Sequence, residues 1–196
     1  MLPAVPVLGP NVPTRGNAFS RAVGRLGFGL FRFHFEGAWP DVPRLVIIVA
    51  PHTSNWDFVV GLFAKLALGV RARFIAKHTL FRGPLGWFLL WLGGMPVDRK
   101  AAGDVVESAI QALRTAEKLL LVITPEGTRK KTREWKSGFH RIACGARVPI
   151  LPVAFDYRKR AIIFEPVFEP TGDYAADLAA LRSRFEAAMA YRPENY

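Results

Sequence analysis

Residues 44–58 read RLVIIVAPHTSNWDF, an apolar run that stops at Pro51 and hands over to His52 and Asp57. The run is rich in β-branched residues and shows no polar–apolar alternation, the pattern of a strand buried on both faces. An α-helix turns about 100° per residue, so two side chains five positions apart point about 140° away from each other. His52 and Asp57 therefore meet only if the backbone bends between them. A strand ending near Ala50, a loop carrying His52 and a helix starting near Asp57 supply that bend. A histidine takes a proton from a hydroxyl near neutral pH, and a carboxylate on its other ring nitrogen fixes the tautomer. The competing reading is a loop histidine beside an unrelated helix-capping aspartate.

Outward from this stretch, strands and helices alternate. Residues 57–69 suit a helix stopped by Gly69, and residues 72–76 a second strand. Residues 83–94, GPLGWFLLWLGG, form an uncharged, aromatic-rich segment that reads as a short helix between glycine breaks. Residues 95–98 are a third strand candidate, and Val105, Ala109, Ile110 and Leu113 recur at helical spacing. Residues 118–126 are a clear buried strand, 138–146 a short helix, and 149–155 and 161–168 further strands. Asp173 caps a last helix whose stripe is Tyr174, Leu178, Leu181, Phe185 and Met189. The pattern predicts one α/β domain, with a largely parallel or mixed central sheet flanked by helices.

The N-terminal part is different. Residues 1–17 are broken by prolines and read as an irregular arm ahead of a domain over 18–196. Residues 18–35 mix Phe, Val and Leu with Arg21, Arg25 and Arg32, the composition of an amphipathic segment lying in a membrane interface. Gly24, Gly27 and Gly29 weaken its helicity, and a helix packed on its own domain is the alternative. The first residues lack the apolar stretch of a signal peptide, and no apolar run approaches the length of a membrane span, about 20 residues.

The chain has 196 residues, a net charge of +11, 51% hydrophobic and 22% charged residues, 15 Phe and 5 Trp. That composition is globular, and the charge attracts polyanions: nucleic acid, an anionic membrane face or an acidic substrate. The single cysteine, Cys144, excludes an internal disulfide and a cysteine-rich metal site. No metal site is expected.

Four sheet-edge positions carry chemistry. Besides His52, Lys77 follows the second strand, Arg99 follows residues 95–98, Glu126 ends the strand over 118–126, and Gly127 and Arg129 follow it. The stretch 124–138, TPEGTRKKTREWKSG, sets glycines among arginines and lysines, which suits a phosphate. A solvated charged loop is the simpler reading of its lysines. If the strands are parallel, these positions project into one cleft at the ligand edge of an α/β sheet.

These blocks resemble the glycerolipid acyltransferase family, which includes 1-acylglycerol-3-phosphate acyltransferases. HTSNWD (52–57) is similar to its H-x-x-x-x-D block, PEGTR (125–129) to its E-G-T-R block, and GGMPVDR (93–99) to its glycine-to-arginine block. VPILPVAF (148–155) and AKHTL (76–80) resemble two further blocks, all in the family's order. The chain departs from the pattern at Thr79, where many relatives carry an acid, and at Trp135, where Phe is usual.

The resemblance implies a glycerolipid acyltransferase-like fold, with the matching blocks over 44–155. It also implies direct transfer of an acyl chain from acyl-CoA or acyl carrier protein to the free hydroxyl of a lysophospholipid. His52 would be the general base and Asp57 its partner; Arg99, Glu126, Gly127, Arg129 and Lys77 would shape the acceptor's phosphate site. No cofactor is expected beyond the acyl co-substrate. The expected location is peripheral, at the cytoplasmic face of the inner (plasma) membrane, on its phospholipid surface.

Trp56, Trp87, Phe88, Trp91 and Trp135 are candidates for an acyl groove or lipid contact. Filling that groove at Gly86 with a tryptophan would then change the preferred chain length. An indole face also suits a choline ammonium, which sets lysophosphatidylcholine beside lysophosphatidic acid as acceptor.

A basic nucleic-acid-binding module is the rival from another class. It explains the charge but not His52 and Asp57, and no nucleic-acid motif accompanies it, so nucleic acid is not an expected partner. His140 and Cys144, four apart on a helix, suggest a thiol enzyme less well, because buried helical cysteines are usually inert. Ser54 lacks the surroundings of a hydrolase nucleophile.

Overall fold

The computed structural model of the chain describes residues 2–97, 102–132 and 134–196. Among these residues a seven-stranded sheet runs in the order β1-β7-β6-β2-β5-β3-β4. Its strands are β1 (His34–Gly37), β2 (Arg44–Ala50), β3 (Ala72–Lys77), β4 (Gly94–Val97), β5 (Leu119–Ile123), β6 (Ile150–Asp156) and β7 (Ala161–Phe164). β6, β2, β5, β3 and β4 pair parallel, so their C-terminal ends share one edge. β7 turns back antiparallel to β6 and pairs parallel with β1, which makes the sheet mixed.

The apolar run of β2 is buried on both faces, as its lack of alternation predicts. Val46, Ile48 and Ala50 enter one hydrophobic layer with α4 (Ala102–Thr115), α5 (Gly138–Ala146) and Leu181 of α6 (Tyr174–Arg182). Leu45 and Ile47 enter the opposite layer with α1 (Ala18–Leu30) and α2 (Trp56–Leu68). At about 25 cal/mol per Å² of apolar surface removed from water, these two layers supply the main folding drive.

Residues 18–35 divide into two elements. α1 starts at a capping box in which Asn17 and Ser20 exchange hydrogen bonds, and it ends at Phe31. Residues 34–37 continue as the edge strand β1, too short to leave a periodic signal, with Phe35 stacked between Phe28 and Phe164. The glycines that weaken α1 as a helix let it approach α2. A Cβ at Gly24 would lie 2.2 Å from the backbone nitrogen of Ala67, and one at Gly27 2.2 Å from the Phe63 ring. α1 is thus packed on its own domain through Gly24 and Phe28, while Phe19, Leu26 and Leu30 face outward.

The irregular arm is tied down: Arg15 N–H donates to Gly69, and Arg71 N–H donates to Pro13. α6 is shorter than its stripe suggests, because Arg184 and Phe185 bond three residues back and tighten the last turn after Arg182. Phe185 still reaches the core. α3 (Gly83–Trp91) is the short apolar helix expected between glycines.

The α1–α2 contact generates a stability contrast. Gly24→Ala adds helix propensity but drives a methyl into backbone, and should cost about 1–3 kcal/mol. Gly29→Ala meets only ordinary contact with Pro3 at 3.4 Å and should gain up to about 1 kcal/mol. Urea denaturation of the two variants checks the opposite signs.

Candidate active site at the strand ends

β2 ends at Ala50, a cis peptide precedes Pro51, and α2 begins at Trp56, so residues 51–55 form the bend that brings His52 back to Asp57. The His52 Nδ1–H donates to Asp57 Oδ2 at 3.1 Å. The same oxygen accepts the backbone N–H groups of Thr53 and Ser54 at 2.8 and 2.9 Å. The other oxygen, Oδ1, accepts the Tyr157 hydroxyl at 2.9 Å. Asp57 is 3% exposed and sits in the first turn of α2, where the helix dipole favours a negative charge. A carboxylate holding four donors keeps the proton of His52 on Nδ1 and leaves Nε2 with a free lone pair.

Tyr157 was not among the sequence candidates. It lies one residue past the end of β6, at the same sheet edge as His52, and that position is the only signal the sequence offers. Burial and the charge of Asp57 push its phenol well above the usual tyrosine range, so it serves as a permanent donor.

Glu126, expected to help shape a phosphate site, is bonded to the backbone of His52. Its two carboxylate oxygens accept the backbone N–H of His52 at 3.1 and 2.9 Å. It fixes the loop that carries His52. Burial, with the charge of Asp57 adding to it, pushes its pKa up to about 7, against the lowering effects of the His52 N–H and Arg182. Gly127 takes the positive φ of +64° that turns the chain after Glu126, with the Lys136 side chain packed against it.

His52, Asp57 and Arg129 line one cavity of about 470 Å³. Its walls are otherwise mostly apolar: Phe58, Leu62 and Leu68 of α2, Phe74 of β3, Leu85 and Leu89 of α3, and Phe155 of β6. An imidazole and a guanidinium thus share one mostly apolar cavity. Lys77 ends β3, exposed and outside the lining. Arg99 lies outside the described residues.

The aromatic candidates are corrected in part. Trp56, Trp87, Phe88 and Trp91 are exposed, Trp87 at 82%, and none of them lines the cavity; α3 presents Leu85, Leu89 and Leu92 to it instead. Trp135 is 4% exposed and belongs to the core on the other side of the sheet, against Phe139 and Phe185. It is core because the loop after β5 folds back over α5 and α6. Gly86 abuts the backbone of Phe81, where a Cβ would come within 2.4 Å, so a side chain there displaces α3 rather than filling a groove.

The other candidates have structural partners. Ser54 Oγ accepts the Trp56 N–H at 3.2 Å, an N-terminal helix contact. His140 Nε2 meets Asp177 Oδ2 at 2.7 Å in the core, and burial raises the thiol pKa of Cys144, which leaves it a poor nucleophile.

The Glu126 environment makes stability depend on pH. A carboxyl raised from 4.5 to about 7 on folding binds its proton more tightly in the native state, so its contribution is full below the unfolded value and is lost as pH rises through about 7. The span corresponds to a loss on the order of 3 kcal/mol. Glu126→Gln keeps an acceptor for the His52 N–H and removes this slope. Thermal melts from about pH 5 to 8 should show the variant gaining on the wild type as pH rises.

Comparison with known proteins places the geometry in a family. Residues 34–156 match the family model described as Acyltransferase. The chain is 30% identical over 129 residues to a 1-acyl-sn-glycerol-3-phosphate acyltransferase of Streptococcus pneumoniae, covering 65% of this chain and 47% of that protein. It is 34% identical over 119 residues to the human 1-acyl-sn-glycerol-3-phosphate acyltransferase beta, covering 57% and 41%. The chain thus spans about half the length of the curated relatives it matches. Among solved structures, the 1-acyl-sn-glycerophosphate acyltransferase PlsC of Thermotoga maritima superposes with a TM-score of 0.61 at 19% identity, over 85% of this chain and 74% of that one, a likeness of fold. With the family's model matched from β1 to the end of β6, the chain belongs to the acyltransferase family.

Proposed function

We propose that the protein is a lysophospholipid acyltransferase of the 1-acyl-sn-glycerol-3-phosphate type, moving an acyl chain from a thioester directly to the free glycerol hydroxyl. The observation that carries this reading is the shared cavity: an imidazole oriented by Asp57 opens beside Arg129 onto an apolar chamber. The acceptor hydroxyl gives its proton to His52 Nε2 as its oxygen attacks the thioester carbonyl. The tetrahedral adduct then collapses, the carbon–sulfur bond breaks, and the thiolate leaves with the proton returned from the imidazolium. Asp57, held by Thr53, Ser54 and Tyr157, stabilises that imidazolium and needs no reorganisation to do so. The donor is acyl-CoA or acyl carrier protein.

Arg129 is the described cation best placed for the acceptor's phosphate, and Lys77, exposed at the end of β3, is a second candidate; Arg99 remains a candidate from the sequence alone. Lysophosphatidic acid is the favoured acceptor over lysophosphatidylcholine. The Streptococcus pneumoniae and human relatives carry that substrate in their names, and the indoles proposed for choline stand elsewhere: Arg15 lies over the Trp91 ring at 5.3 Å, and Trp135 is in the core. The acyl chain lies in the cavity between α2, α3 and the sheet.

The lipid substrates point to a membrane surface as partner. No described helix is long and apolar enough to cross a membrane. Leu85, Trp87, Leu90 and Trp91 of α3 are exposed together on a chain of net charge +11, a combination suited to the interface of an anionic bilayer. The proposed location is peripheral, on the cytoplasmic face.

His52→Ala should lower kcat/KM by roughly 10²–10⁴-fold while circular dichroism stays native, with Asp57→Asn close behind and Arg129→Ala acting mainly on the acceptor KM. Thioester release with a panel of lysolipids measures all three, and a His52→Ala enzyme of wild-type rate ends the reading. In flotation with vesicles containing anionic phospholipid, Trp87→Ser combined with Trp91→Ser should release the protein that the wild type leaves bound.

A further inference from the structure

Tyr157 is held from two sides. Its ring meets Phe33 at 5.2 Å and Tyr191 at 5.1 Å between centroids, both as edge-to-face contacts. Its backbone N–H donates to the Met189 carbonyl at 2.8 Å. Two of these contacts come from residues 187–196, which lie beyond the region 34–156 that the family model matches. The same segment reaches the loop after β2, where the Arg192 N–H donates to Thr53 Oγ1 at 3.1 Å. Between these anchor points Ala190 is buried.

Both anchor points lead to Asp57. The Thr53 N–H donates to Oδ2 at 2.8 Å, and the Tyr157 hydroxyl donates to Oδ1 at 2.9 Å. The two oxygens are unequally served. Oδ2 accepts from His52, Thr53 and Ser54, whereas Oδ1 accepts from Tyr157. Asp57 is buried, so water does not replace a lost donor, and a bare oxygen is costly there. A carboxylate deprived of Tyr157 turns about its Cβ–Cγ bond, a broad torsion, to find another partner. That rotation carries Oδ2 away from His52 Nδ1.

We infer that residues 187–196, acting through Tyr157 and Thr53, are a positioning element of the acyl-transfer site: they fix the carboxylate plane of Asp57 and thereby the tautomer of the His52 imidazole. This rests on the acyltransferase reading and refines it. Tyr157 and Tyr191 are positioning residues, since neither lines the cavity that His52 enters. The two rings have separable roles. Tyr157 supplies the hydroxyl, and Tyr191 supplies a face that keeps the hydroxyl aimed.

The test joins spectroscopy to kinetics on the full chain labelled with nitrogen-15 histidine. Long-range correlations from the ring carbon protons report both nitrogens of His52, assigned by their loss in His52→Ala. In the wild type the two shifts should lie well apart, because the proton is held on Nδ1. In Tyr157→Phe, which keeps the ring, and in Tyr191→Ala they should draw together as the tautomers mix. Tyr157→Phe should lower kcat roughly tenfold, and Tyr191→Ala roughly threefold, with KM for thioester and lysolipid unchanged. Tyr191→Phe should restore most of what Tyr191→Ala loses. Ile142→Val, in the core on the other face of the sheet, is the stability control and should leave the nitrogen shifts in place.

A segment that only stabilises the fold would lower the melting temperature and the rate together and leave the nitrogen separation as in the wild type, and that result overturns the inference. So does a change seen in Tyr157→Phe but not in Tyr191→Ala, which removes the segment from the mechanism. Absence of transfer by the wild type from every thioester to every lysolipid strikes the acyltransferase reading instead. The nitrogen shifts then still report whether the segment orients His52, which keeps the two failures apart.

Discussion

The site depends on a single buried carboxylate. Asp57 accepts from the imidazole of His52, from the N–H groups of Thr53 and Ser54, and from the Tyr157 hydroxyl. Leaving such a group unpaired in the interior costs several kcal/mol, so the donors are held to it as firmly as it is held to them. The bend between β2 and α2, the orientation of the His52 ring and the position of the chain after β6 all follow from that one oxygen pair. The C-terminal segment is tied into the same knot, since the Arg192 N–H donates to Thr53 Oγ1 at 3.1 Å.

A second carboxylate complements the first. Glu126, arriving from the adjacent strand β5, holds the backbone of His52 while Asp57 holds its ring. Parallel pairing of β2 with β5 makes this possible, because both strands end at the same edge and their loops emerge side by side. The charge of Asp57 raises the proton affinity of Glu126 and Tyr157. Glu126 feels Asp57 and its own burial, and is partly relieved by the His52 N–H and by Arg182.

The two faces of the sheet serve different ends. One is closed by α4, α5 and α6 into a core that includes Trp135 and the His140–Asp177 pair. The other is covered by α1, α2 and α3, and between α2, α3 and the strands it stays open enough to leave the apolar chamber. α1 is drawn against α2 by glycines, while α3 packs on the edge strand β4 with its indoles outward. The same helix that walls the chamber therefore presents an apolar surface to the surroundings.

The sequence by itself determined the α/β alternation, the double-sided burial of β2, the bend between His52 and Asp57, and the gathering of His52, Lys77, Glu126 and Arg129 at one edge. These are written in local terms: apolar runs without alternation, helix stops, and charged residues placed where strands end. Only the tertiary structure decided what those residues touch. Tyr157 joins Asp57 across 100 positions of chain, and Glu126 turns to a backbone N–H rather than to a side chain. Trp135 enters the core although its loop is strongly basic, Lys65 bridges from α2 to α3, and β1 begins inside the stretch that reads as one amphipathic segment. Each of these depends on which surfaces meet when distant segments pack. Spacing along one segment carries no record of a partner supplied by another.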